Sequence, residues 1–182
     1  MPPYPPRGAS RERRPVPPLD TAALERLALR YVERFSTTRS RLSDYLRRKI
    51  RERGWEGEPA DPIALAEKMA DLGYIDDRAF GEARGAAMAR RGLGKRRVSM
   101  AFRQDGIEEE DVAALAPAIE DRALQAALTF ARKKRIGPFA SVEADRVLRE
   151  KQIGMMIRAG HDFTLSRSIA TLLPDASIDD LA

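Results

Sequence analysis

From Leu19 onward, apolar residues recur with the 3.6-residue period of an α-helix. Leu24, Leu27, Ala28, Tyr31 and Val32 fall at i, i+3, i+4, i+7 and i+8, one face of a first helix. Leu42, Leu46 and Ile50 form a second stripe. Asp61-Pro62 reads as an N-cap followed by proline at the first helical position. Ile63, Ala66, Met69, Ala70 and Leu72 follow as a third stripe, which Gly73 can end. No stretch alternates with period two, so the pattern predicts an all-α chain.

The same three-part unit then recurs. Asp77 is placed to cap a helix whose apolar face includes Phe80, Ala83 and Ala87. The next carries Val98, Ala101 and Phe102 and stops at Gly106. A third carries Val112, Leu115, Ala116 and Ile119, and Glu108 to Asp111 complement its N-terminal dipole. Pro117 should kink that helix or start the next. In the last unit Leu124, Ala127, Leu128 and Ala131 share a face. A second helix is expected from about Val142 to Ala159, with Leu148, Ile153, Met156 and Ile157. A third carries Leu165, Ile169, Leu172 and Leu173 and stops at Pro174.

Gly54, Gly106 and Gly160 end the middle helices at spacings of 52 and 54 residues. Four positions before each stand Ile50, Phe102 and Met156; one position after stand Trp55, Ile107 and His161. Eight before, Leu46 and Val98 are answered by Gln152. The pattern predicts three tandem three-helix repeats, helix-turn-helix-like modules, over 19–76, 77–119 and 120–174. Modules this small support one another through neighbouring interfaces, so an elongated, curved body of roughly 60–80 Å is expected from helix rise. Residues 1–18 read as a disordered Pro/Arg-rich tail, and 175–182 as an acidic tail.

Charge changes the picture by its placement. The net charge is only +5, yet 1–18 carries +3, 39–54 carries +5, 90–103 carries +6 and 132–135 carries +4, which leaves −13 elsewhere. Such segregation favours a polyanionic partner. The candidate contact residues are Arg47, Arg48, Lys49 and Arg51; Lys95, Arg96, Arg97 and Arg103; and Arg132, Lys133, Lys134 and Arg135. Lys95, Arg96 and Arg97 occupy a first helical turn, where cations oppose the dipole, a cost that makes sense if they face phosphates or carboxylates. A row of such sites suits phosphate contact without sequence reading. Aromatics are 6% of the chain, so no dedicated base-stacking platform is expected. No helix rich in Asn, Gln and Arg presents base-reading spacing.

Candidate chemistry is sparse. The absence of cysteine excludes disulfides and thiolate metal sites and fits a reducing, cytoplasmic compartment. No apolar run is long enough to span a membrane, and the Met-Pro-Pro-Tyr-Pro-Pro start lacks a secretory core. His161 is the single histidine and falls on the repeat position of Trp55 and Ile107, which points to semi-buried packing. Asp76-Asp77 reads as a helix N-cap before it reads as a metal pair. Gly92-Leu93-Gly94-Lys95 lacks Walker spacing and a preceding strand. The chain is therefore expected to be neither an enzyme nor a holder of any cofactor or metal, a nuclease site at Asp76 and Asp77 being the enzyme reading set aside.

Several motifs together resemble the RecX family of recombination regulators. Gly73-Tyr74-Ile75-Asp76-Asp77-Arg78-Ala79-Phe80 is similar to a Gly-Tyr-Leu-Asp-Asp-x-x-Phe signature, and the stretch from Arg39, Ser40 and Arg41 to Leu46, Lys49 and Ile50 is similar to its early motif. Gly92, Gly94, Arg97, Phe102 and Gly106-Ile107 resemble the second repeat. Arg158-Ala159-Gly160-His161-Asp162-Phe163 resembles the end of the third, with two residues between glycine and phenylalanine where that family has none. The resemblance covers roughly 21–173. It implies three tandem three-helix repeats and a monomer that binds the RecA recombinase filament. Family members lodge in the groove of the RecA–single-stranded-DNA filament and suppress its ATPase, strand-exchange and coprotease activities. Composition and spacing alone leave open a general, sequence-non-specific DNA- or RNA-binding helical module.

Overall fold

The computed structural model describes residues 17–181; residues 1–16, and with them nearly all of the expected disordered tail, lie outside it. Among the described residues the chain is all-helical. In order come α1 (Thr21–Arg34), α2 (Arg39–Arg53), α3 (Pro62–Asp71), α4 (Asp77–Arg90), α5 (Lys95–Gln104), α6 (Glu109–Asp121), α7 (Ala123–Lys134), α8 (Arg146–Arg158) and α9 (Phe163–Thr171). Short 3-10 turns lie at Gly137–Phe139 and Asp179–Leu181. Most helices begin on a side chain that accepts an otherwise orphaned first-turn N–H. Asp20 accepts from Ala23, Thr38 from Arg41, Asp61 from Ile63 and Ala64, Asp145 from Leu148, and Asp162 from Thr164.

Three hydrophobic clusters follow one another along the chain. The first gathers Leu24 and Ala28 of α1, Leu42 and Leu46 of α2, and Leu65, Ala66 and Met69 of α3. The second gathers Met88 of α4, Val98, Ala101 and Phe102 of α5, and Leu115 of α6. The third gathers Ala127, Leu128 and Ala131 of α7, Met156 of α8 and Ile169 of α9. Ile178 and Leu181 also pack on this third cluster, so the acidic C-terminal segment is docked in part.

Several expected faces shift. In α3 the buried positions are Pro62, Leu65, Ala66 and Met69, while Ile63 and Leu72 are exposed. In α4 the inward face is Asp77, Gly81, Gly85 and Met88, not Ala83. Glycine is needed there for close approach: a Cβ at position 81 would lie 3.2 Å from Ile107 Cδ1 and closer still to Leu115 Cδ1. Pro117 neither ends nor starts a helix; α6 runs through it to Asp121. Ala113, whose carbonyl loses its helical partner, faces solvent, so water can satisfy it. The helix expected from Val142 begins only at Arg146, after the Asp145 cap, and Val142 is exposed.

Two joints connect the groups of helices around these three clusters, called units below, and they share a design. In the first, the N-terminus of α2 meets the C-terminus of α5. Buried Thr38 donates through Oγ1 to the Asp105 carbonyl at 2.5 Å. Gly106, at φ +67°, lies so close to Ser40 that any side chain there would strike its Oγ and Cβ. In the second, the N-terminus of α5 meets the C-terminus of α8. Gly94 N–H donates to Ala159 O at 3.0 Å and Arg96 N–H donates to Gly160 O at 3.1 Å. Helix α5 has no side-chain cap, because the end of α8 supplies the acceptors. Positive and negative helix ends therefore meet at both joints. At the first unit's outer end, Leu19 N–H donates to Gly54 O and Glu56 N–H to Leu19 O, sealing backbone that a further unit would otherwise cover.

Candidate nucleic-acid interface

Eight of the twelve basic candidates are carried on α2 and α5, two of the helices that the joints hold. On α2, Leu42 and Leu46 point into the first core, which turns Arg47, Arg48 and Arg51 to solvent and leaves Lys49 half-buried. Internal pairs absorb part of this charge. Arg47 contacts Asp44 at 3.3 Å, while Lys49 and Arg48 share Glu52 at 2.6 and 3.7 Å. Arg51 has no ion pair or side-chain hydrogen bond among the described residues.

On α5 two of the cations in the first turn are engaged within the fold. The N–H groups of that turn already bond the end of α8. Lys95 donates to Glu120 at 2.9 Å, and that hydrogen bond and charge hold its ammonium above the usual lysine range. Arg97 donates through Nε to the Arg158 carbonyl at 2.9 Å. Lys95 and Arg97 are thus structural as well as basic. Arg96 and Arg103 are exposed and make neither an ion pair nor a side-chain hydrogen bond among the described residues.

The run at the end of α7 is exposed and partly engaged. Arg132 lies over the Phe139 ring at 4.8 Å, and Lys133 donates to the Arg91 carbonyl at 3.1 Å, which brings this run beside the end of α4. Arg135 takes the left-handed conformation that terminates the helix, with φ 54°. The twelve basic candidates therefore lie on α2, on α5 and at the end of α7.

Arg39 plays a role that charge counting missed. Asp76, not Asp77, caps α4, accepting from Ala79 at 2.8 Å. Asp77 is buried at 6% exposure and accepts from Arg39 twice, from the backbone N–H at 3.0 Å and from Nε at 3.1 Å. The Arg39 guanidinium also reaches Glu67 at 3.3 Å, Glu108 at 3.5 Å and Asp111 at 3.9 Å. Burial works to lower its pKa, but the Asp77 bond and charge and the Glu67 bond outweigh that and raise it. One arginine thus ties α2 to α3, α4 and α6. The Asp-Asp pair is a cap plus a buried anion for this arginine. Among the described residues, no group of three or more His, Cys, Asp or Glu is placed to hold a metal ion.

His161 is buried, at 2% exposure. Its Nε2–H donates to the Gly92 carbonyl at 3.1 Å, and its ring lies 5.5 Å from Phe130. Burial pushes its pKa below the usual histidine value, with the Gly92 bond working the other way. The residue belongs to the joint between the second and third units. It also explains the spacing between Gly160 and Phe163: Asp162 caps α9, and Phe163 is exposed.

A feature not expected from composition lies on the first unit. Tyr31 of α1 stacks on Tyr45 of α2 at 4.3 Å and 27°, and Phe35 at the end of α1 lies 5.2 Å from Tyr31. A cleft of about 430 Å³ opens over these rings, bordered by Arg30, Arg34 and Arg48. A low overall aromatic content concealed a local concentration.

No family model matches the chain. Curated relatives do. It is 28% identical over 159 residues to "Regulatory protein RecX" of Agrobacterium fabrum, covering 85% of each chain. It is 29% identical over 172 residues to the protein of that name from Myxococcus xanthus, covering 90% of each. A crystal structure of RecX from Lactobacillus salivarius superposes with a TM-score of 0.64 over 81% of this chain and 92% of that one, at 20% identity, which speaks for the fold. Four curated relatives carry that name, and together with the shared fold they support a RecX-family regulatory protein. The paired motifs that carry the family likeness acquire a physical meaning here. Arg39 of the early motif and Asp77 of the Gly-Tyr-Ile-Asp-Asp motif are two halves of one joint. Gly94 and Gly160 are two halves of the other. Among the described residues no helix is long and apolar enough to cross a membrane.

Proposed function

We propose that this RecX-family chain regulates RecA recombinase as an inhibitor. It lies as a monomer in the groove of the RecA–single-stranded-DNA filament and blocks ATPase, strand exchange and coprotease activity. The observation that carries this reading is the tip-to-tip meeting of α2, α5 and α8 at two rigid polar joints, with exposed cations on every unit. The three helices contain 15, 10 and 13 residues, a contour of about 57 Å from the helical rise. A series of similar units at fixed spacing, each presenting positive charge, suits a helical partner that repeats both protein and phosphate. The mechanism is steric and electrostatic: units bridge successive recombinase subunits, and basic side chains meet DNA or acidic protein surface.

The test is RecA-catalysed ATP hydrolysis on single-stranded DNA with substoichiometric amounts of this chain. Inhibition below one-to-one is expected. Reversal of Arg51, Arg96 and Arg103 to Glu removes charge without removing a side-chain contact at either joint, since Arg96 enters the second joint through its backbone N–H alone, and it should weaken inhibition strongly at moderate salt. Unchanged inhibition by that triple variant would reject these residues as the contact surface. A general nucleic-acid module, the reading favoured by the aromatic cleft taken alone, would bind naked strands as tightly as filaments and leave ATPase unaffected.

A further inference from the structure

We infer that the cleft between the end of α1 and the middle of α2 is a binding site for single-stranded nucleic acid, taking an unpaired base on its aromatic floor and the flanking phosphates on its arginine rim. The inference rests on the polyanion-partner reading but not on RecA. Three of the residues bordering the cleft are aromatic, Tyr31, Phe35 and Tyr45, and three are arginines; none is acidic. Tyr31 and Tyr45 belong partly to the first core, which fixes their planes. Phe35 does not pack into that core and is 48% exposed. A large ring held open beside two fixed rings is an unfinished stack.

Arg48 on the α2 side of the cleft is paired with Glu52, but the charge that α1 brings has no internal explanation. Arg26, Arg30 and Arg34 follow at i, i+4 and i+8 along α1, where like charges repel and destabilise the helix. None of the three makes an ion pair or a side-chain hydrogen bond among the described residues. Arg34 instead lies 5.3 Å from the Phe35 ring, and Arg48 lies 5.6 Å from Tyr45. Guanidinium groups against ring faces leave their outer N–H donors free for phosphate oxygens. Aromatic faces accept any base, and a cationic rim follows the backbone, so the site recognises unpaired strands without reading sequence. A duplex keeps its bases stacked on each other and offers the rings nothing. An acidic peptide would use the rim but would leave the exposed ring faces without a flat partner.

The experiment is fluorescence anisotropy with the full chain on two labelled strands of equal charge, a 15-mer of thymidylate and a 15-mer of abasic deoxyribose phosphate. The thymidylate strand should bind about tenfold more tightly, the usual effect of one stacked base. Phe35→Ala should remove most of that preference, and Phe35→Trp should keep it. Arg30→Gln with Arg34→Gln should weaken both strands alike and reduce the salt slope by about 0.7 per arginine. Unchanged Trp55 emission and circular dichroism would establish folding, which the exposure of Phe35 favours. Equal affinity for the two strands, equal affinity for a blunt duplex, or a preference that survives Phe35→Ala overturns the inference. Because no recombinase is present, such a failure leaves the ATPase result of the proposed function standing.

Discussion

Arg39 and Asp77 make an asymmetric pair, and the asymmetry gives a sharp prediction. Replacing Arg39 by Ala leaves the Asp77 carboxylate, whose side chain is 3% exposed, with a single backbone N–H at 3.0 Å. An uncompensated buried charge of this kind costs about 3–5 kcal/mol. Replacing Asp77 by Ala is milder. The guanidinium keeps Glu67 at 3.3 Å, and at 26% exposure it also reaches water. The loss is then that of charged hydrogen bonds, about 1.5–3 kcal/mol. The double variant should cost little more than Asp77→Ala alone, because the charge that Arg39→Ala strands is no longer there. Urea unfolding followed by circular dichroism and by Trp55 emission measures all of these. Trp55 borders the first core, whereas circular dichroism reports every helix. In Arg39→Ala the two transitions should separate, as the joint between the first and second units weakens. Single-variant costs that add within about 0.5 kcal/mol, or Asp77→Ala as costly as Arg39→Ala, would refute the assignment of Asp77 as a buried anion neutralised by Arg39.

Two other predictions concern the third unit. Gln152 is 5% exposed, its Oε1 is buried without a partner, and its repeat counterparts are Leu46 and Val98; Gln152→Leu should therefore raise stability by about 1 kcal/mol in urea unfolding. His161 titrates lower folded than unfolded, so the unfolded chain binds more protons below the ordinary histidine value of 6.5. Stability from this group is then complete above about pH 6.5 and is lost as pH falls through that value toward the lowered folded pKa. Denaturation series between pH 5.5 and 7.5 should show this decline, and His161→Gln, which can still donate to Gly92, should flatten it; an unaltered slope would place the proton elsewhere.

The parts of the structure that were legible in the sequence are those set by local rules. Apolar stripes located most of the helices, and Asp61-Pro62 marked the start of α3. Gly54, Gly106 and Gly160 could be aligned because each follows a middle helix with positive φ, at +81°, +67° and +97°. What escaped depends on partners far along the chain. Arg39 and Asp77 lie 38 residues apart, and neither looks unusual alone. The inward face of α4 was misread because Gly81 and Gly85 add nothing to an apolar count, although their lack of a side chain is what lets α6 approach. The internal partners of Lys95 and Arg97 were hidden because Glu120 and the Arg158 carbonyl arrive from other helices. The aromatic cleft was discounted because 6% is an average over the chain, while Tyr31, Phe35 and Tyr45 converge from two helices.

The glycine joint between α5 and α8 allows spacing to be separated from charge as the basis of inhibition. Gly94 sits at φ −81° and ψ 169°, a conformation open to any residue. Gly160, at φ +97°, would be strained by any side chain, so its variants confound two effects. In Gly94→Ala the added methyl would strike the Gly160 carbonyl and lie 2.5 Å from His161 N. Those atoms are backbone and cannot swing aside, so the two helix ends must part. Overpacking of this sort costs about 1–3 kcal/mol. No charge is changed, and the first unit with its cleft is remote from the joint. Affinity for a naked single strand should therefore stay within about twofold, since its cationic and stacking contacts are intact. Inhibition of the recombinase should fall about tenfold, which needs only ~1.4 kcal/mol of the strain to appear in the bound state. If potency on the filament held while the parting of the joint was evident from faster proteolysis around Gly94, fixed spacing would have no part in inhibition, and charge alone would have to explain it.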